Sequence, residues 1–363
     1  MQGTPLKPQA LPAYSPPFDF APLPCVFIML RPDALKYLHP GWFSIVMGLA
    51  GLALAWAQAS RALGALAGAA ALALAALAAL VFVALAALSW WRWLKHPQAL
   101  AADLAHPVRH TFVAAPSISL FLLSALAVSA LGATSAWVAA LWWLASLLQW
   151  AATVWTLGRW LGPRPPGWAV LTPALYLPAV GNVLAPLAGV ALQTGPWMLA
   201  QFGAGVLLWL LVTALLLARL VAHGMWTQRL LPLTFITITP PSLVGAGVLQ
   251  LGGPQTLAWM CWGAALLFVM WGLHVMRALL AQPFSLNAWA LSFPLAAFAA
   301  LSMRLGGGPG EPLATLALLS LAFVSLVAAA LTLATFKGLR DGSLLAPEQV
   351  PLSVSAAPAA GQP

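Results

Sequence analysis

The chain has 363 residues, of which 62% are hydrophobic and 6% are charged. A soluble globular protein carries about a quarter charged residues, so this composition excludes that class. Apolar runs longer than about 18 residues recur along the whole chain, which predicts an all-α integral membrane protein with many spans. The two cysteines, Cys25 and Cys261, are too few for a disulfide framework and are interpreted as free thiols.

Three regions follow from composition. Residues 1–38 are proline-rich, lack the basic-then-apolar pattern of a signal peptide, and are predicted to form a disordered cytoplasmic tail. Residues 39–337 are predicted to form a domain of ten transmembrane helices, and 338–363 a second disordered cytoplasmic tail. The ten predicted spans are Gly41–Gln58, Gly64–Leu88, Phe112–Leu131, Ala136–Leu157, Trp168–Leu192, Trp197–Val221, Leu230–Leu251, Leu257–Leu280, Leu286–Ser302 and Leu313–Phe336.

The positive charges indicate an orientation. With loops assigned alternately to the two sides, every Lys and Arg except Arg61 and Arg304 falls on one side. Positive charge stays cytoplasmic during insertion, so both termini are predicted to be cytoplasmic. The net charge of +9 is therefore a topology signal, and the expected partner is the lipid bilayer rather than nucleic acid.

Prolines distinguish odd from even segments. They interrupt the third, fifth, seventh and ninth segments, whereas the interiors of the even segments have none. Broken helices must be shielded from lipid, while smooth ones are suited to face it. The pattern predicts five helical hairpins, with kinked odd-numbered inner helices around a pore and smooth even-numbered outer helices. The alternative is a generic bundle, because proline is common in transmembrane helices. The candidate pore kinks are Pro116, Pro178, Pro240 and Pro294.

The residue before each kink proline identifies a candidate gate. These residues are Ala115, Leu177, Thr239 and Phe293, so only the ninth segment has an aromatic residue there. If the kinks lie at similar depth, Phe293 is the largest group at the constriction. The alternative interpretation is ordinary helix packing.

The predicted spans contain no carboxylate, because Asp103 and Glu311 both fall in loops. This argues against cation transport and against a membrane metalloenzyme, and it fits passage of anions. Embedded Lys and Arg are absent too, so selectivity would depend on ion dehydration, helix dipoles and polar side chains. Alternatively, the hydroxyls bond to carbonyls of their own helix and the amide braces a kink. The pore-lining polar candidates are Ser44, Ser119, Asn182, Thr237, Thr239 and Ser292.

A basic cluster lies on the predicted cytoplasmic side. Arg92, Lys95 and Arg109 are expected to form a vestibule that concentrates anions. The nearby histidines match no metal-ligand spacing, so no metal and no cofactor are expected. We find no cluster of nucleophile, base and metal ligands at one depth, so no catalytic residues are assigned and the protein is predicted not to be an enzyme. The histidines are His39, His96, His106 and His110.

The odd segments carry a family resemblance. Their motifs resemble those of the tellurite-resistance/dicarboxylate transporter family, which includes a bacterial tellurite-resistance membrane protein, plant slow anion channels, and fungal malate and sulfite transporters. The resemblance covers about residues 38–336. The motifs are LHPGWFSIVMGLAGLALAW (Leu38–Trp56), HPVRHTFVAAPSIS (His106–Ser119), LPAVGNVLAPLAG (Leu177–Gly189), LLPLTFITITPPS (Leu230–Ser242) and FSLNAWALSFPL (Phe284–Leu295).

The resemblance implies a homotrimer in which each subunit has its own anion pore. It also implies a phenylalanine on the ninth helix that blocks the pore, and the matching residue is Phe293. We therefore expect a channel or facilitative transporter for small inorganic or organic anions in a bacterial inner membrane. The alternative is a proton-coupled exporter of C4-dicarboxylates or sulfite.

Overall fold

The computed structural model describes residues 34–162, 167–306, 310–311 and 313–346. Cys25 and most of the two predicted tails lie outside these ranges. Within them, all regular secondary structure is helical, and nine helices are long and apolar enough to cross a membrane. A tenth apolar helical segment, Pro173–Gly189, is shorter. The chain is thus a multi-pass all-α membrane protein, with nine full-length candidate spans where the sequence predicted ten.

The ten segments are numbered in chain order, with the short one as the fifth. Their bounds are α1 (Pro40–Gln58), α2 (Ala65–Lys95), α3 (Arg109–Leu131), α4 (Ala136–Trp160), α5 (Pro173–Gly189), α6 (Gly195–His223), α7 (Gln228–Gln250), α8 (Gln255–Leu280), α9 (Leu286–Gly306) and α10 (Ala314–Arg340).

Burial separates the odd from the even segments. In α1, α3, α7 and α9, between 72% and 100% of the most apolar window is buried, whereas in the even segments the share is between 11% and 39%. The described residues of α5 are also largely buried. The odd segments therefore form an inner layer and the even ones an outer layer, as the proline pattern predicted.

Each long odd segment changes from a 3₁₀-helix to an α-helix along its length. In α3 the change falls between Ala114 and Ala115, and in α7 between Ile238 and Thr239. In α9 it falls between Leu291 and Ser292. The kink prolines Pro116, Pro240 and Pro294 lie in the first turn of the α-helical half. Backbone N–H groups in the first turn have no partner inside the α-helix, so a proline there costs no α-helical hydrogen bond. In these three segments a proline therefore follows directly after the change of helical type, whereas α1 changes between Phe43 and Ser44 without one.

The fifth segment is shorter than the predicted Trp168–Leu192. It consists of four short helical pieces, Pro173–Leu175, Tyr176–Val180, Gly181–Leu184 and Ala185–Gly189. Such a broken backbone is tolerated at membrane depth only where other protein groups cover it. Its burial behind the outer helices meets that requirement.

Both ends of the described chain continue as helix beyond the predicted domain bounds. A 3₁₀-helix covers Ala34–Tyr37, and α10 runs to Arg340 before a second 3₁₀-helix, Ser343–Leu345. The two short helices contact each other, and Leu35 and Leu345 are buried. These two leucines lie in the ranges that composition assigned to the tails.

Candidate functional site

Two cavities lie inside the inner layer of helices. We call them the basic-side cavity, toward the end of the bundle with Arg92, Lys95 and Arg109, and the Arg304-side cavity, toward the opposite end. Every lining residue of either cavity belongs to an odd-numbered segment, and all five odd segments contribute to each. The outer helices contribute to neither.

Phe293 lies between the two cavities, because it lines both, and Leu243 of α7 lines both as well. It is buried, with 6% of its surface exposed. Its ring packs against the backbone of α1 at Gly51, where a Cβ atom would lie 2.7 Å from Phe293 Cδ2. The residue that sequence reasoning selected is therefore the aromatic ring between the cavities.

The basic-side cavity is small and mostly apolar. Its volume is about 40 Å³, and its walls include Ile118, Trp289 and the kink prolines Pro240 and Pro294. The other two predicted kinks, Pro116 and Pro178, do not line either cavity. A single water needs about 10–15 Å³ of such space, so this cavity has room for about three waters and not for an ion with a full hydration shell.

Two of the six polar candidates line a cavity, both on the basic side. Ser44 Oγ donates to the Gly41 carbonyl at 2.7 Å, so its hydroxyl is already used. Thr239 Oγ1 is buried without a hydrogen-bond partner among the described residues. Thr239 therefore supplies the unpaired hydroxyl of the basic-side cavity.

Three other hydroxyl candidates bond within their own helices. Ser119 donates to Ala115 at 2.8 Å, and Thr237 donates to Thr234 at 2.7 Å. Ser292 donates to the Trp289 carbonyl at 2.7 Å. These bonds agree with the alternative in which the hydroxyls bond to carbonyls of their own helix. None of the three residues lines a cavity.

Asn182 faces the outer helices rather than a cavity. Its Nδ2 donates to Thr153 Oγ1 of α4 at 2.8 Å, and its Oδ1 accepts from Gln201 Nε2 of α6 at 3.0 Å. The side chain is fully buried. It therefore braces the broken α5, which was the alternative to a pore-lining role.

Sequence reasoning missed the outer-helix partners of α5. Gln149 Nε2 donates to the carbonyls of Leu177 and Pro178 at 3.1 and 3.2 Å, and Thr153 Oγ1 also donates to Pro178. Carbonyls beside a helix break need such partners in hydrocarbon. The available signal was the presence of amide side chains inside otherwise apolar even-numbered helices.

The expected basic vestibule is partly neutralised. Arg92 is buried, and its Nη2 lies 2.6 Å from Asp103 Oδ2. Arg109 Nη1 lies 3.4 Å from the other carboxylate oxygen, Oδ1, and Asp103 is on a short helix, Pro97–Ala105, rather than in a loop. Lys95 is exposed at the end of α2. Arg92 is therefore a structural ion-pair partner, and Lys95 and Arg109 are the more accessible charges of the three.

Two histidines cap helices at this end. His39 Nδ1 accepts the Gly41 N–H at 3.1 Å, and His106 Nδ1 accepts the N–H groups of Val108 and Arg109, each at 3.1 Å. Burial, followed by the charge of Arg109, lowers the pKa of His106 to about 4. Burial and the charges of Arg109 and Arg92 lower the pKa of His39 well below its usual range. Both rings are neutral at pH 7, as the capping role requires.

Among the described residues, no group of three or more His, Cys, Asp or Glu side chains could hold a metal ion. Cys261, the cysteine in the described part of the chain, is buried and unpaired.

The fold and its cavities define a multi-pass helical membrane protein with internal space on both sides of one aromatic ring. A family model described as voltage-dependent anion channel (SLAC1) matches residues 37–336. The chain belongs to that family, which confirms the resemblance carried by the odd segments.

Two proteins of Methanocaldococcus jannaschii are also similar, and each is named an uncharacterized transporter. One is 26% identical over 238 residues, which cover 58% of this chain and 67% of the relative. The other is 26% identical over 244 residues, which cover 58% of this chain and 68% of the relative.

Proposed function

We propose that the protein is an anion channel or facilitative transporter of a bacterial inner membrane, and that Phe293 closes its pore. The observation that carries this proposal is the position of Phe293 between two cavities lined entirely by inner helices. The family, and the naming of its relatives as transporters, support the same class.

The lining chemistry favours anions. Among the residues that the structure describes, no carboxylate lines either cavity, and the positive charge of Arg304 lies in the wall of one. Carboxylates in a pore would attract cations and repel anions, whereas guanidinium and hydroxyl donors have the opposite preference. Small inorganic and organic anions are the proposed substrates.

The proposed orientation has both termini in the cytoplasm, which follows from the concentration of Lys and Arg at one end. Lys95 is exposed at that end, and Arg61 is exposed at the other. Single cysteines introduced as Lys95→Cys and Arg61→Cys, in a chain without Cys25 and Cys261, test this with a membrane-impermeant maleimide. Labelling from outside at residue 61 and protection at residue 95 is the expected result, and the reverse pattern would overturn the orientation.

The proposed assembly is a homotrimer with one pore in each subunit. This proposal rests on the family resemblance alone. Native mass spectrometry of the protein released from detergent measures the subunit number directly. A mass of three chains is expected, and a monomeric mass would remove the trimer from the account.

The closing role of Phe293 is tested by anion flux in liposomes. We expect Phe293→Ala to raise chloride and nitrate flux by about tenfold or more, a change that corresponds to about 1.4 kcal/mol of barrier. The matched control is Phe298→Ala. Phe298 is on the same helix and is buried, but it stacks on Trp262 at 5.7 Å and lines neither cavity.

The outcomes separate the candidate functions. Flux that rises in Phe293→Ala, stays low in Phe298→Ala and is selective for anions supports the proposal. Equal flux in wild type and Phe293→Ala would remove the gate. Saturable flux that follows an imposed proton gradient would favour the exporter of C4-dicarboxylates or sulfite.

A further inference from the structure

One face of α9 forms a stripe along the Arg304-side cavity. Phe293, Ala297, Ala300 and Arg304 all line this cavity, and they follow one another at positions i, i+4, i+7 and i+11. These spacings place side chains on one face of an α-helix, and eleven residues of such a helix span about 16 Å. The stripe therefore leads from the aromatic ring, past two small residues, to a guanidinium group.

Two other inner helices, α1 and α7, carry stripes along this cavity that also end in a polar side chain. On α1 the lining residues are Gly51, Leu54 and Gln58, at positions i, i+3 and i+7. The lining residues of α7 have the same spacing and end at Gln250, and Ser129 lines the cavity near the end of α3. Apolar walls near Phe293 thus give way to one guanidinium, two amides and one hydroxyl at the far end.

Arg304 is held in place without a counter-ion. Its side chain is half-buried, and its Nη1 donates to the Ala246 carbonyl of α7 at 3.1 Å. No carboxylate among the described residues lies within ion-pair distance, and Glu311 is exposed in the loop after α9. Arg61 adds a second positive charge nearby. A partly buried cation without a partner is unfavourable unless an anion or water satisfies it.

We propose that the Arg304-side cavity is a binding site for a small oxyanion, held by the Arg304 guanidinium with the amides of Gln58 and Gln250 and the hydroxyl of Ser129. The anchored guanidinium presents parallel N–H groups that match two neighbouring oxygens of nitrate or a monocarboxylate. The two amides and the hydroxyl line the cavity and form no side-chain hydrogen bond within the described part of the chain, so they are free to bind an ion. Both glutamines are half-buried, and Ser129 is exposed.

The cavity has room for such an ion. Its volume is about 140 Å³, against about 40 Å³ on the other side of Phe293. A water molecule needs about 10–15 Å³ of such space, so an oxyanion can enter with part of its hydration shell. The inference rests on the proposed function in one respect: the bound oxyanion is the permeating ion, held at the far end of the cavity from the closed ring.

Binding is measured without transport, through the thermal midpoint of the purified full-length protein in detergent, titrated with sodium nitrate at constant ionic strength. A ligand that binds the folded state raises the midpoint saturably. We expect nitrate to stabilise the wild type more than chloride does, and Arg304→Gln to weaken the apparent nitrate affinity about tenfold, equivalent to about 1.4 kcal/mol. Arg304→Lys keeps the charge but should lose the preference for nitrate over chloride, because an ammonium lacks the planar fork.

The matched control is Arg277→Gln, which removes one exposed positive charge at the opposite end of the bundle. It should leave the nitrate titration unchanged. If Arg304→Gln does not fold, Gln250→Leu tests the same site without removing the bond to Ala246, and it should weaken nitrate binding severalfold. An unchanged nitrate titration in Arg304→Gln, or in Gln250→Leu if that variant has to replace it, would overturn the site.

Failure of this inference and failure of the proposed function give different results. If Phe293→Ala conducts anions while Arg304→Gln binds nitrate as the wild type does, the gate stands and the site is wrong. If nitrate binding depends on Arg304 but Phe293→Ala conducts no more than wild type, the site stands and the gate is wrong.

Discussion

Gly51 of α1 lies so close to the ring of Phe293 that a Cβ atom at residue 51 would be 2.7 Å from Phe293 Cδ2. A methyl group there requires the ring or the helix to move. We predict that Gly51→Ala displaces the ring and raises anion flux in liposomes. The strain should also lower the free energy of unfolding by about 1–3 kcal/mol, the usual cost of overpacking.

The control for this prediction is Gly68→Ala, because a Cβ at Gly68 of α2 would meet nothing within 4 Å. That variant should leave flux unchanged. In a Phe293→Ala background, Gly51→Ala should add no further flux, since its effect acts through the ring. An additive increase in the double variant would show that Gly51 acts by another route.

Asn182→Ala should destabilise the protein without changing ion selectivity. The substitution removes the hydrogen bonds that Asn182 forms with Thr153 and Gln201. Losing both bonds in a buried site should cost about 1–3 kcal/mol. Thermal unfolding in detergent measures the loss, and reversal potentials in the Phe293→Ala background measure selectivity. Asn287→Ala, at the surface, is the control, and equal midpoints for the two variants would contradict the bracing role.

Asp103→Asn should destabilise the protein strongly. Arg92 is buried against this carboxylate at 2.6 Å, with side-chain exposures of 5% and 4% for the two residues. Removing one member of a buried ion pair costs about 3–5 kcal/mol, because the remaining charge loses its partner. Lys95→Gln, at an exposed position, should stay within about 0.5 kcal/mol of wild type. The thermal midpoints of the two variants measure this difference. A midpoint of Asp103→Asn close to that of wild type would mean that Arg92 is solvated and does not depend on the carboxylate.

Stability should fall in acid. The folded state holds His39 and His106 neutral with lowered pKa values, while in the unfolded chain their pKa is near the ordinary 6.5. Between pH 6.5 and the folded-state value of about 4 for His106, the unfolded chain binds more protons, so the free energy of unfolding decreases as the pH falls. Well above pH 6.5, where both imidazoles are neutral in the folded and the unfolded chain, the two histidines contribute no slope.

Replacing both histidines with asparagine tests this pH dependence. Asparagine is a good helix cap and does not titrate, so the caps are kept while the protonation is removed. Thermal midpoints recorded across this pH window should fall less steeply in the double variant than in wild type. His274→Asn, at an exposed position, should keep the wild-type slope. Identical slopes in wild type, the double variant and His274→Asn would show that His39 and His106 do not cause the loss of stability in acid.

The sequence was sufficient to predict the layering, because the layering depends on local chemistry. It also selected Phe293 as the candidate gate, with the support of the family resemblance. A proline removes a backbone donor wherever it occurs, so Pro116, Pro240 and Pro294 marked segments that had to be buried. Phe293 was the largest residue and the only aromatic one among the four that precede a kink proline. Both features can be recognised without knowing which helices are neighbours.

The direction of polar side chains could not be predicted in the same way. Asn182 and Ser119 lie on inner helices, but whether each faces a cavity or another helix depends on the rotation of the segment. The partners of Asn182 are on α4 and α6, and Arg92 meets Asp103 only after the short helix Pro97–Ala105 folds back. These are contacts between separate elements, and no local pattern reports them.

The most direct test of the account is single-channel conductance in planar bilayers for Phe293→Leu, Phe293→Val and Phe293→Ala. If the ring closes the pore, conductance should rise in that order as the side chain becomes smaller, and the current should be anion-selective throughout. The same three substitutions at Phe298, on the same helix but outside both cavities, should leave conductance at the wild-type level. Conductance that does not depend on side-chain size at residue 293, or that rises equally at residue 298, would contradict the account.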